Sequence, residues 1–189
     1  TNLSKNLLSI LIFTLVIVFS GCSKQPEVQN QKKSLPNEFS WKDNLAMDDI
    51  PGFNIRGFIR GKELNFSYII LEKWHGSNDN VLRFSLTKPA QQCGYIDNFQ
   101  GVELTRKGKA FEVGNYEKKR FEDNFPDITA GYKADDGKGN IVESSVPFNF
   151  AVKIDSLNEK KCFGMISICF NDESKSWMAG RFEAGICNN

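Results

Sequence analysis

The sequence predicts an all-β, predominantly antiparallel domain: a single β-sandwich or barrel-like body of about eight or nine strands, set behind a leader and a tether. Three observations lead there. Apolar residues alternate with polar ones in short runs between residues 53 and 187, the period of a strand with one buried face. Glycine, proline and Asn/Asp clusters interrupt those runs at short intervals, as hairpin turns do. The 16 phenylalanines are spread along the chain, so that most of the runs receive a large core side chain.

The chain opens differently. Leu7 to Phe19 reads LLSILIFTLVIVF, an apolar run with Lys5 just ahead of it. It is shorter than the roughly 20 residues of a membrane-spanning helix and suits the h-region of a secretory signal. Phe19-Ser20-Gly21-Cys22 follows, with small residues that fit an extended chain into a peptidase groove and a thiol that a lipid donor can alkylate. This resembles the lipobox of bacterial lipoproteins, with Phe19 where that motif usually carries Leu. The resemblance implies a signal peptide over residues 1–21 and lipid attachment at Cys22. It further implies that Ser23, next to the cysteine, directs the protein to the outer membrane of a diderm cell envelope. One acyl chain binds a membrane marginally, whereas the two or three usual in this class hold firmly. Export also places the remaining chain where disulfides persist.

Residues 22–40 form the next unit. Ser23 to Ser40 (SKQPEVQNQKKSLPNEFS) is polar, contains two prolines and has little to bury, so it reads as a flexible tether. Its r.m.s. span would be roughly 20–25 Å. Residues 41–189 are the β-rich extracytoplasmic domain. Removing residues 1–21 removes one charge, Lys5, and leaves 23 acidic side chains balanced by as many basic ones. Without a basic stripe or a polybasic patch, nucleic acid is excluded as a partner.

Within the domain, Trp41 to Ile50 is a lead-in with one helical turn. Phe53 to Ile55 and Phe58-Ile59 are short strands, followed by a tight turn at Arg60-Gly61-Lys62. Leu64, Phe66, Tyr68 and Ile70 share one face of the next strand. Leu82, Phe84 and Leu86 repeat that pattern before Pro89, and Val102 and Leu104 repeat it before the turn Arg106 to Lys109. Asn115 to Asn124, with Tyr116 and Phe121 as its apolar residues, is the one expected helix. Ile128 to Lys133 and Ile141 to Ser145 flank the turn-forming segment Ala134 to Asn140. Phe148, Phe150, Val152 and Ile154 alternate with Asn149, Ala151 and Lys153. Phe163 to Phe170 and Trp177 to Cys187 enclose the polar turn Asn171 to Ser176 as a hairpin. Pairing Phe170 with Met178 sets Ile168 opposite Gly180 and Ile166 opposite Phe182, all on one apolar face.

A second likeness runs across most of residues 55–187. It is carried by Gly57-Phe58-Ile59-Arg60-Gly61-Lys62, Cys93-Gly94, Phe150 to Ile154, Gly164-Met165-Ile166 and Ala179-Gly180-Arg181-Phe182-Glu183-Ala184. These resemble a group of uncharacterised, β-rich bacterial envelope lipoproteins that end in a Gly-x-Phe-x-Ala hairpin and a terminal cysteine. The group carries no established activity to transfer.

Beyond Cys22 there are four cysteines, Cys93, Cys162, Cys169 and Cys187, with three possible full pairings. Cys162 and Cys169 lie on one expected strand, about 23 Å apart when extended, and a disulfide needs Cα atoms within roughly 7 Å. If all four pair, Cys93–Cys169 with Cys162–Cys187 and Cys93–Cys162 with Cys169–Cys187 remain. The likeness implies instead a single Cys93–Cys187 bridge and two free thiols. No Cys-x-x-Cys spacing points to zinc.

Candidate chemistry is sparse. His75, the single histidine, has no identifiable nucleophile or orienting carboxylate and reads as a surface residue at a strand end. Asp135, Asp136 and Asn140 carry oxygen ligands suited to calcium, but Gly137 and Gly139 already account for the segment as a turn. Ser77 to Asn80 is similarly turn-like. Trp41, Trp74, Trp177, Tyr95 and Tyr116 are candidates for an aromatic binding patch. Glu103, Glu112 and Glu117 are candidates for a catalytic carboxylate pair, though nothing in their spacing positions them. The chain lacks a P-loop, Gly-x-Ser-x-Gly, His-Glu-x-x-His or dinucleotide fingerprint. The expectation is a lipid-anchored protein of the cell envelope with a non-catalytic binding or structural role. Its partners would be the membrane, through the lipid, and a protein or small-molecule ligand, with no cofactor or metal. The alternative is an extracytoplasmic hydrolase with a carboxylate site that residue order does not reveal.

Overall fold

The computed structural model describes residues 37–74 and 76–187; the signal segment, Cys22, most of the tether and His75 lie outside them. Among the described residues there are eleven strands and no α-helix. They are β1 (Arg56–Ile59), β2 (Lys62–Leu64), β3 (Tyr68–Lys73), β4 (Asn80–Ser85), β5 (Gly101–Arg106) and β6 (Gly114–Lys118). β7 (Ile128–Asp135), β8 (Ile141–Ser144), β9 (Phe148–Leu157), β10 (Lys161–Phe170) and β11 (Trp177–Cys187) follow. Nine form one curled sheet, a half-barrel, in the order β6-β9-β10-β11-β3-β4-β5-β7-β8. The β1–β2 hairpin joins it through β1 on β11. Every strand pair is antiparallel except β11 with β3, which is parallel. The all-β, mainly antiparallel expectation is therefore met, with a half-barrel as the architecture.

The inner face of the curl carries the main core. Phe84 and Phe182 meet edge to face at 5.4 Å, and Phe125 and Phe150 do so at 5.3 Å. Leu82, Leu104, Val152, Ile166 and Ile168 fill the space between them and are fully buried. Each such side chain contributes about 1.5–3 kcal/mol by leaving water. The period-two pattern of β4, β5, β9, β10 and β11 has this cause: their alternate residues are the inner face.

β9, β10 and β11 are also covered on their outer face. Leu45 and Ile50 of the lead-in are fully buried against Ala151, Cys169 and Ala179, with Phe39, Trp41, Met47 and Phe53 beside them. A single 3-10 turn, Met47–Asp49, shapes this segment. The lead-in closes onto β11 at Gly180, whose φ is +130°. A Cβ there would stand 2.8 Å from the Asn54 and Ile55 backbone, so the glycine of the Gly-x-Phe-x-Ala motif is a packing requirement.

Three expectations need correction. Asn115 to Asn124 is not a helix: Gly114–Lys118 is edge strand β6, paired to β9 with Tyr116 opposite Val152. Edge strands are short and charged, which hides their alternation. The run Leu64 to Ile70 is divided between β2 and β3. The final hairpin pairs two residues away from the expected register, with Ile168 opposite Met178, Ile166 opposite Gly180 and Gly164 opposite Phe182. The turn decides this. Asp172 Oδ1 accepts the Ser176 N–H at 2.8 Å, and the Phe170 N–H reaches the Ser176 carbonyl, so Trp177 falls opposite Cys169. A shift of two preserves face membership, so Ile166, Ile168, Met178 and Phe182 still share the apolar inner face.

Candidate functional site

Where the lead-in stops covering the outer face, the sheet places three charged residues in a row. Arg83 on β4 stands directly opposite Glu103 on β5, and Glu72 on β3 opposite Val81 is on the same face. Arg83 Nε donates to Glu103 Oε1 at 2.5 Å, and its Nη1 lies 2.5 Å from Glu72 Oε1. The three side chains are only 12–22% exposed, so water screens the pairs weakly, and the short charge-assisted contacts offset part of the desolvation cost. Farther along the same face, Lys133 on β7 pairs with Glu143 on β8 at 3.1 Å.

The residues between β4 and β5 form the wall beside this row. Leu86 donates to the Gln100 carbonyl at 3.0 Å, closing the neck of an Ω-type loop. Gly101 makes the return possible: its φ is +146°, and a Cβ would lie 1.8 Å from the Phe84 carbonyl oxygen. Ile96 is buried beneath the loop, the Phe99 ring lies over the Arg83 guanidinium at 5.3 Å, and the Cys93 N–H donates to the Tyr68 hydroxyl at 3.0 Å. A disulfide joins Cys93 to Cys187 at the end of β11, with a Cα separation of 5.4 Å. The pairing implied by the lipoprotein likeness is thus present, and Cys162 and Cys169 are free and buried.

Loop and sheet enclose a groove of about 770 Å³, with the Glu72–Arg83–Glu103 row and the Lys133–Glu143 pair lining it. Two aromatic side chains stand at it in contact with solvent: Trp74 is 46% exposed and Tyr95 is 87% exposed. The volume is that of small-molecule sites, where a few polar groups converge among aromatic side chains.

Of the five aromatic candidates, only Trp74 and Tyr95 reach this groove. Trp41 stacks on Phe121 and donates its indole N–H to the Phe170 carbonyl; Trp177 packs between Phe39 and Phe58. Tyr116 accepts from Arg106 and from the Glu112 N–H. The acidic candidates are likewise dispersed. Glu103 is in the groove, Glu117 accepts the Met47 N–H, and Glu112 is an exposed loop residue. Asp136 caps its own turn through the Lys138 and Asn140 N–H groups, and among the described residues no group of three or more His, Cys, Asp or Glu is placed to hold a metal. Asp79 ties its turn to the next by accepting the Gly108 N–H. Glu72 and Arg83 escaped the sequence reading because only register unites them. The available signal was a charged residue interrupting the apolar run of each of three successive strands.

Burial pushes the Cys162 thiol up to about 11 and the Cys169 thiol up to about 12. Both sit in core clusters on opposite faces of β10, away from the groove. Such thiols are poor nucleophiles and structural in character. No protein-family model, curated protein or solved structure matches this chain.

Proposed function

We propose that this protein is a non-catalytic binding protein of the bacterial cell envelope, held to the membrane by lipid at Cys22, whose outer-face groove takes a small polar ligand. The observation that carries the reading is the groove itself: a paired-charge floor beside two solvent-facing aromatic rings. Tryptophan and tyrosine side chains that face solvent beside polar groups offer ligands an apolar surface with a polar edge. The Cys93–Cys187 bridge supports placement in an oxidising compartment, as export through a lipobox requires.

The hydrolase alternative draws less support. The groove does hold two carboxylates, Glu72 and Glu103, but the Arg83 guanidinium occupies the space between them. In a carboxylate-pair hydrolase the scissile bond lies between the two acids. Here that place is filled by a side chain locked to both.

A two-armed experiment on the full chain tests the reading. Cys22→Ala should move the protein from the membrane to the soluble fraction; unchanged membrane association contradicts the anchor. A thermal-shift screen of polar metabolites should give stabilisation of about 2–3 kcal/mol at ligand concentrations near 100 Kd. That stabilisation should vanish in Trp74→Ala and Tyr95→Ala. Stabilisation that survives in both variants contradicts the groove.

A further inference from the structure

We infer that the ligand class of this groove is a neutral, hydroxyl-rich molecule with an apolar C–H face, that is, a short saccharide. This deepens the binding reading and rests on it. Three features of the site select the class. The first is charge. The lining holds Glu72, Glu103 and Glu143 against Lys73, Arg83 and Lys133, so a charged ligand meets no net complementary field. Its charge would also have to compete with pairs already in contact at 2.5 Å and 3.1 Å. An ionic ligand gains little by entering a neutral lattice and loses its hydration in doing so.

The second is hydrogen-bonding capacity. A carboxylate accepts on two oxygens and a guanidinium donates through five N–H groups, so the Glu72–Arg83–Glu103 contacts do not exhaust any of the three. Such a row offers alternating acceptors and donors at fixed positions. A hydroxyl both donates and accepts, so neighbouring hydroxyls on a ring match an acceptor beside a donor without adding charge. Bonds to ionised groups are stronger than neutral ones, and here the groups are held rigidly before the ligand arrives. The third is shape. Trp74 and Tyr95 supply flat, polarisable surfaces beside the polar row. The C–H face of a sugar ring packs on such a surface while its equatorial hydroxyls stay directed to the polar floor. The volume of about 770 Å³ exceeds what one ring fills and suits a short oligomer.

The test is calorimetric titration of the purified full chain in detergent. The probes are three neutral oligosaccharides (maltotriose, cellotriose and N-acetylated chitotriose), triglycine, citrate and spermidine. At least one neutral oligosaccharide should bind, with affinity changing less than about twofold between low and high salt, because no ion pair forms on binding. Tyr95→Ala and Trp74→Ala should each weaken it by about tenfold or more, while the circular dichroism spectrum is unchanged. Binding of triglycine, citrate or spermidine that depends on Trp74 and Tyr95, without saccharide binding, overturns the saccharide class and leaves the groove reading standing. Saccharide binding that survives in both variants overturns this site. Binding of no probe overturns the saccharide inference, and stabilisation in the metabolite screen then decides the groove reading separately.

Discussion

At Arg83 three strands share one half-buried positive charge, so its removal has a definite consequence. Two carboxylates, 12% and 22% exposed, would be left facing each other without a counter-ion. Breaking a fully buried network in this way costs about 3–5 kcal/mol, and the residual exposure of these groups places them at or below the lower end of that range. Arg83→Met should therefore lower unfolding stability by about 3 kcal/mol in denaturant titration, and adding Glu72→Gln and Glu103→Gln should recover much of it. Strict additivity of the three changes would show that the side chains do not act as one unit. The buried thiols make a second prediction. Unfolded thiols ionise near 9.0, while those of Cys162 and Cys169 are held up to about 11 and about 12. As pH rises through that window the unfolded chain gives up protons that the folded chain retains, so stability is lost with rising pH and fully present below it. Between about pH 8 and pH 10.5 the melting temperature of the wild type should fall more steeply than that of Cys162→Ala/Cys169→Ala. Equal slopes would mean that these thiols are not desolvated.

Among the elements, the Ω-type loop depends least on backbone pairing. Its neck bond from Leu86 to Gln100, the Cys93 contact to Tyr68 and the buried Ile96 are supplemented by one covalent link across a sequence separation of 94. Replacing Cys93 and Cys187 with serine should cost about 2–4 kcal/mol. Amide exchange should accelerate at Leu86 and Gly94 while β9 and β10 keep their protection; uniform acceleration would mean that the bridge serves the whole fold and not the wall of the groove. At this scale the sequence was informative where one face of a strand is buried. Phe148, Phe150, Val152 and Ile154 alternate because every second residue enters the core. It was uninformative for β6, where Asn115, Glu117 and Lys118 on an edge strand leave only Tyr116 as an inward marker. The candidate site was legible only in fragments. Trp74, Tyr95 and Glu103 were named for their chemistry, but Glu72 and Arg83 acquire meaning only when β3, β4 and β5 align. Residue types are local, whereas register is a property of the folded sheet.

For the whole molecule, one asymmetry organises the outer face. The lead-in from Phe39 to Phe53 seals it over β9–β11, and the Ω-type loop leaves it accessible over β3–β5. The covered part is apolar and the accessible part is a neutral lattice of ion pairs, so the groove is a polar recess and not an exposed remnant of the core. The most direct test of a saccharide groove on this face is a map of backbone and indole N–H shifts as the neutral oligosaccharides are titrated into the isotopically labelled full chain. Saturable shifts are expected only at Glu72, Trp74, Arg83, residues 93–99 and Glu103, with the Trp41 and Trp177 indoles unmoved. Shifts centred on the lead-in or the β1–β2 hairpin, or none at any oligosaccharide concentration, would contradict it.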